Sequence, residues 1–280
     1  MSKISNLEID YPSIIEVNSE DRVISSTSSK GNQIKWCINN VWLKADDFGY
    51  EGLTESVAST ILQQSNIRDF VEYKCIKIKE LDTGRIYRGC ISNSFLDDNE
   101  ELITIYRLFA TYGINLDIAL AKLSIEQRLK YVIDKTIEFT DIKEFGSWLG
   151  LLLEFDAFIL NEDRHFHNIA VIKKDDDYRC MPIFDCGAGL LSDTHMDYPL
   201  SVPITSCINR VSSKPFNTKF SKQLKAVENV CGLHLKLSDI KEFISGIYSK
   251  EEVKRVNKIL KLRMKKYNSS NESCNKLDSF

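Results

Sequence analysis

The stretch "FILNEDRHFHNIAVI" (158–172), followed after a polar turn by "MPIFDCGAGLL" (181–191), decides how this chain is read. It opens at the end of the apolar run "DIKEFGSWLGLLLEFDAFIL" (141–160), whose length and composition predict a buried helix that delivers its last turn to Asn161. "IAVI" (169–172) and "CMPIF" (180–184) predict two strands around the polar turn "KKDDDY". Such a hairpin sets Asn168 and Asp185 together at its open end.

Asn161, Asp163, His165 and Asn168 fall within eight residues, and Asp185 ends the second strand just before Cys186-Gly187. Phosphoryl transfer asks for this kind of layout. It needs a carboxylate to orient an attacking hydroxyl and accept its proton, and oxygen ligands to hold Mg²⁺ against phosphates. Asp163 and Asn168 stand five apart, as do the base and the metal-binding Asn of the loop H-R-D-x-x-x-x-N, although His165 here follows the Asp. Asp185 matches the Asp of D-F-G, with Cys186 in place of Phe. Alone, Asp-x-His is an ordinary polar pair and Asp-x-Gly an ordinary turn; in this order, flanked by strands, they read as one site. His167 reads as a loop residue.

Working outward, residues 1 to about 95 are strand-rich around one helix. "QIKWCINNVWLKAD" (33–46) predicts a hairpin turning at Asn39-Asn40, and "YEGLTESVASTILQQS" (50–65) carries Leu53, Val57, Ile61 and Leu62 at helical spacing. "VEYKCIKIKE" and "RIYRGCISNSFL" alternate as two further strands around "LDTG". Lys44 ends a strand just before the helix, where the Lys of V-A-I-K grips the α- and β-phosphates, and Glu55 in the helix body is the expected ion-pair partner, with Glu51 the alternative. The plainer alternative for Lys44 is an edge lysine that deters aggregation. "SSTSSKGNQIK" (25–35) lies where a phosphate-covering loop belongs, yet holds only Gly31; its hydroxyls and N–H groups either line phosphates or form a plain serine-rich loop.

From about residue 100 the pattern turns helical: "EELITIYRLFATYG" ending at Gly113, "SIEQRLKYVIDKTIEFT" with a Ser-x-x-Gln start at Ser124, and helices at 217–231, 238–247 and 250–267. The expected architecture is α+β: a small β-rich lobe (1–96), a helical lobe (97–268) with the catalytic loop and metal-binding hairpin, a hinge at 93–100, and a disordered tail over 269–280. Nucleotides bind in clefts between such lobes.

Composition limits the alternatives. Thirty-seven basic against 40 acidic residues leave a net charge of −3, which indicates no broad nucleic-acid surface. The basic run "KRVNKILKLRMKKY" (254–267) has Val256, Ile259, Leu260 and Met264 at helical spacing, an amphipathic helix with a solvated basic face. The N-terminus lacks a signal h-region, and no stretch approaches a membrane span. A cytoplasmic protein is expected, with delivery as an effector lacking a classical signal peptide as the variant. Eight cysteines without a C-x-x-C pair argue against zinc and against a disulfide framework.

Four patches, "SSKGNQIK", "WLKADDFGYEGLTESVASTIL", "NEDRHFHNIAVI" and "PIFDCGAGLL", give the chain a resemblance to HipA-family serine/threonine kinases, the group that includes bacterial toxin kinases. Ser28, Gly31, Gln33 and Lys35 match the loop pattern S-x-x-G-x-Q-x-K; Asn161, Asp163, Arg164, His165 and Asn168 match N-x-D-R-H-x-x-N; "SKPFNTKF" (213–220) also looks like the family's C-lobe. The resemblance runs closest to the short CtkA-like branch, because nothing before Ser28 leaves room for the extra subdomain of longer toxins.

What the resemblance implies is a two-lobed protein-kinase-like fold using ATP and Mg²⁺. Asp163 becomes the base, Asn168 and Asp185 the metal ligands, and Lys44 the phosphate anchor. It also implies autophosphorylation at Ser28, with Ser29, Ser26, Ser25 and Thr27 as alternative acceptors. The partner is a protein with a Ser or Thr hydroxyl, together with an antitoxin or regulatory protein. Three other readings stand beside it: a small-molecule or lipid kinase, a nucleotide-binding pseudokinase, and a metal-dependent nuclease built on Asp163, His165, His167 and Asp185.

Overall fold

The computed structural model describes residues 14–23, 33–227, 243 and 245–274. The first half is a five-stranded sheet of β1 (Ile14–Val17), β2 (Lys35–Ile38), β3 (Val41–Ala45), β4 (Lys74–Glu80) and β5 (Ile86–Asn93), in the order β1-β4-β5-β3-β2. Asn39 and Asn40, at φ 51° and 63°, form the two-residue turn between β2 and β3, with Ile38 opposite Val41. Both turn residues must take the left-handed region, which Asn tolerates better than most.

The register of β3 sorts its side chains. Leu43 and Ala45 turn to one face and join Trp36, Ile76, Ile78, Ile91 and Val17 in a small core. Lys44 turns to the other, opposite Lys35 of β2 and Cys90 of β5. Helix α1 (Glu51–Gln63) lies along this second face, where Cys75 Sγ meets the Gly52 carbonyl at 3.7 Å. Leu53, Val57, Ile61 and Leu62 are buried as their spacing predicts. Asp46 Oδ1 accepts from Gly52 N–H at 2.7 Å and so satisfies the start of the helix.

The second half holds α2 (Ile105–Thr111), α3 (Leu116–Leu120), α4 (Ile125–Thr140), α5 (Phe145–Ile159), α6 (Ile204–Ile208), α7 (Phe220–Val227) and α8 (Lys250–Cys274). Between them runs a three-stranded sheet of β6 (Glu100–Thr104), β7 (Ala170–Lys174) and β8 (Asp177–Cys180). Ser124 and Gln127 close the capping box foreseen for α4. Helix α5 is the buried axis: Leu149, Leu152, Leu153, Phe155 and Ile159 are fully enclosed. None of the described helices is long and apolar enough to cross a membrane.

Several expectations are corrected. "EELITIYRLFATYG" is not one helix: Glu100–Thr104 pairs with β7, and Thr104 then accepts from Arg107 N–H to start α2. The strand expected over 180–184 stops at Cys180, because Pro182 has no N–H to give a ladder and Ile183 makes a single bridge to Phe70. The disordered tail expected from 269 is helical through Cys274, a continuation of α8 that is cheap once the helix is nucleated. Helix α7 covers part of the helix expected over 217–231; 228–231 and most of the one expected over 238–247 lie outside the described residues, and 245–247 are not helical.

Helix α8 ties the parts together. Val256, Ile259 and Leu260 are buried while Lys254, Lys258 and Lys261 face out. Glu252 takes Arg88 of β5 at 2.9 Å, and Arg88 also donates to the Gly49 carbonyl and lies over the Tyr248 ring. Arg255 donates to the Tyr198 carbonyl at 3.0 Å, and Arg263 donates to the Ala157 and Phe158 carbonyls at the end of α5.

Candidate active site

Helix α5 ends at Leu160, whose φ of 61° turns the chain out of the helix, and Asn161 N–H closes back on the Asp156 carbonyl at 2.8 Å. The loop that follows is built on a buried ion pair. Arg164, with no exposed surface, donates to both carboxylate oxygens of Asp156 at 2.8 and 3.2 Å, and Asn161 Nδ2 donates to the same carboxylate at 2.7 Å. The guanidinium then reaches the carbonyls of Asn168 at 3.0 Å and Phe184 at 2.9 Å. One cation therefore holds the backbone beside Asn168 to the backbone beside Asp185, the closeness expected at the open end of the hairpin.

Lys44 Nζ stands 3.1 Å from Glu55 Oε1 and 3.0 Å from Asp185 Oδ1. Burial works against the ammonium, but Asp185 and then Glu55 more than offset it and hold its pKa well above the ordinary value. The Lys44 charge in turn holds the Asp185 carboxyl well below the usual carboxylate range. Lys35, across the strand pair, is pushed down by burial and by Lys44. Glu51 is engaged elsewhere: its carboxylate accepts from Phe48 and Gly49 N–H at 2.6 and 3.0 Å. Asp185 sits at φ 58°, a left-handed turn that aims its carboxylate back at β3.

On the loop, Asp163 Oδ1 accepts from Lys214 Nζ at 2.9 Å, and Oδ2 lies 3.9 Å from His165 Nε2. Burial lowers the His165 pKa, against the pull of Asp163, so the ring is neutral near pH 7. His167 packs at a tilt against the Tyr106 ring, centroids 4.3 Å apart. Asn168 Nδ2 donates to the Asp163 carbonyl at 3.0 Å, a bond that leaves the amide oxygen uncommitted to that carbonyl. An amide oxygen and an ionised Asp185 are the hard oxygen donors that Mg²⁺ takes. Among the described residues no three His, Cys, Asp or Glu cluster as a protein-only metal site. Any ion here would share its coordination with phosphate or water.

The segment after Asp185 is fixed against the start of α1. Tyr50 N–H donates to the Ser192 carbonyl, His195 N–H donates to the Phe48 carbonyl, and Gly49 bridges Asp193. A Cβ at Gly49 would run into the Ser192 carbonyl, so only glycine allows this approach. Tyr198 OH donates to Glu162 Oε2 at 2.5 Å and pins the same segment to the loop that carries Asp163.

Lys44, Glu55 and Asp185 are thus in direct contact, and Asp163 and Asn168 share a loop tied to Asp185 by Arg164. Ser28, Gly31 and the alternative acceptors Ser25, Ser26, Thr27 and Ser29 lie outside the described residues. Gln33, at the end of that loop, donates to the Ala45 carbonyl at 2.9 Å, next to Lys44. Sequence reasoning gave no role to three groups. Arg164 matches the loop pattern without a role, and Asp156, its buried partner, shows no signal beyond an Asp in an apolar helix. Lys214 is 51 residues from its partner. Trp42 shares the Lys44 face by strand alternation, is half-buried, and packs in none of the hydrophobic clusters formed by the described residues.

A curled sheet with one helix across it, joined to a helical half that carries the loop and hairpin, is the two-lobed protein-kinase-like α+β fold. Among solved structures the chain is similar to the Helicobacter pylori proinflammatory kinase CtkA, with TM-score 0.57 and 16% identity over 90% of this chain and 95% of that one. It also aligns with HipA of Shewanella oneidensis MR-1, from a complex with HipB and operator DNA, at TM-score 0.42 and 12% identity over 90% of this chain and 67% of that one. No protein-family model matches the chain, and no curated protein sequence matches it. The fold implied by the HipA and CtkA resemblance is the one observed.

Proposed function

We propose that this chain is an ATP- and Mg²⁺-dependent serine/threonine protein kinase of the HipA type that phosphorylates its own loop around Ser28. The observation that carries the reading is Lys44 held between Glu55 and Asp185, with the Asp163 loop bonded to the Asp185 turn through Arg164. Phosphoryl transfer is mostly positioning and charge stabilisation, and these contacts supply both.

In this reading Lys44 meets the phosphates of ATP and Glu55 keeps its ammonium in place. Asp163 orients the acceptor hydroxyl and takes its proton. Trp42, on the same face as Lys44, offers its ring to the base, and residues 93–100 act as the hinge between lobes. Asn168 and Asp185 would hold a magnesium ion, which when bound would supply charge neutralisation at the phosphate oxygens. The anchor of Gln33 on Ala45 supports Ser28 as an acceptor, because the five residue steps from Gln33 to Ser28 span at most about 17 Å. A phosphate there adds nearly two negative charges beside the nucleotide site and opposes ATP binding, so the modification switches the enzyme off. The acceptor in other molecules is a protein hydroxyl, and a regulatory partner of antitoxin type fits the same reading.

Intact mass and peptide mapping after incubation with ATP and Mg²⁺, beside an Asp163→Gln control, test this. One added phosphate in the wild type alone, mapped to Ser28 or its neighbours, is the expected result. No added phosphate on an initially unmodified chain that binds ATP overturns the reading in favour of a pseudokinase or a kinase for a non-protein acceptor.

A further inference from the structure

Lys214 is presented to Asp163 by a braced turn rather than by a loose side chain. Its ammonium donates to Asp163 Oδ1 at 2.9 Å, with side-chain exposures of 46% for Lys214 and 12% for Asp163. Gln223, buried on α7, donates to the Lys214 carbonyl at 3.1 Å and accepts from Phe216 N–H at 3.1 Å, so one amide grips the backbone on both sides of Pro215. Phe216 is buried and meets Phe166 of the catalytic loop edge-on, centroids 5.4 Å apart. Ser213 Oγ donates to the Asn217 carbonyl at 2.6 Å and its N–H to the Thr218 carbonyl at 3.0 Å, which closes the turn.

An exposed ion pair between two mobile side chains contributes little, because both must give up rotamer freedom. Here the lysine backbone is fixed, the carboxylate is mostly enclosed, and the turn is packed on the loop that carries it. Two other cations of the site are committed: Lys44 to Glu55 and Asp185, Arg164 to Asp156.

We propose that Lys214 is a positioning residue for Asp163, an inference that rests on the kinase reading. The ammonium holds Oδ1, which fixes the rotation of the carboxylate and turns Oδ2 to the side where His165 lies 3.9 Å away. The acceptor hydroxyl is taken on that oxygen. Its proton passes to Oδ2 as its oxygen bonds to the γ-phosphorus, and the bond from that phosphorus to the bridging oxygen breaks with the electron pair leaving on ADP. A base free to rotate loses this alignment, and misplacement on the ångström scale costs about 100-fold in rate.

The test uses the full chain and follows single-turnover incorporation of γ-phosphate into the protein itself, at varied ATP, for wild type, Lys214→Met and Lys214→Arg. The expected result is a maximal rate about 100-fold lower for Lys214→Met, a half-saturating ATP concentration and a Tm unchanged from wild type, and recovery of most of the rate in Lys214→Arg. A Lys214→Met variant as fast as an active wild type overturns the inference and leaves the kinase reading standing. So does a rate loss matched by a fall in Tm or in ATP affinity that Arg does not restore. A wild type that binds ATP and transfers nothing overturns both.

Discussion

The Glu55 carboxylate accepts a hydrogen bond from the backbone N–H of Cys186 at 2.8 Å, across 131 residues of chain, while its other oxygen holds Lys44 at 3.1 Å. A single side chain on α1 therefore joins the strand that offers the ammonium to the turn that carries Asp185. Glu55→Gln keeps the size but leaves one acceptor oxygen for two donors. Phosphate transfer should fall about 10- to 100-fold while urea unfolding shifts little. Transfer at the wild-type rate would show the contact to be idle.

Arg164 and Asp156 form a pair with 0% and 1% side-chain exposure. Removing one partner strands a buried charge, so Arg164→Met should cost roughly 3–5 kcal/mol in urea unfolding. Combining it with Asp156→Leu should return part of that loss, since two apolar side chains need no compensation. A single variant costing under about 1 kcal/mol would contradict the burial argument.

Burial, and then the charge of Glu51, push the Asp46 carboxyl up to about 7. Its value in the unfolded chain is about 3.9. Between the two, the folded chain keeps a proton that the unfolded chain has lost, so stability falls as pH rises through this window and levels off above it. Asp46→Asn keeps an oxygen for the Gly52 N–H and removes the slope. It should be the more stable chain at about pH 8, by on the order of 2 kcal/mol, and no more stable at about pH 4. Parallel pH profiles for the two proteins would rule this out.

Trp36 is fully buried, whereas Trp42 is half-buried on the Lys44 face. Titration with ADP and Mg²⁺ should change the tryptophan emission of the wild type, and Trp42→Phe should abolish most of that change. An equal response in the variant would move the base away from Trp42.

What the sequence made legible was local or chemically costly to replace. Asn39-Asn40 announced the hairpin because both residues must take positive φ, and the apolar stretch before Asn161 announced α5 because few polar positions interrupt it. Glu55 was separable from Glu51 because only the former lies a full turn inside the helix. What stayed hidden depended on distant pairing. Leu102 and Ile103 suit a helix or a strand equally, and β7, some seventy residues later, decides between them by the bonds it offers. Lys214 sits in a short turn with no periodicity, and nothing local ties it to Asp163.

Helix α8 contacts β5, the segment at Tyr198 and the end of α5, and through Arg88 of β5 it braces the backbone entering α1. In order of synthesis Lys44, Glu55, Asp163, Asn168 and Asp185 all precede the supports at Glu252, Arg255 and Arg263, which leave the ribosome only afterwards. A nascent chain carries this whole set of groups before it can hold them in register. On the kinase reading proposed above, transfer to the chain's own serines would be deferred until those last supports have been made.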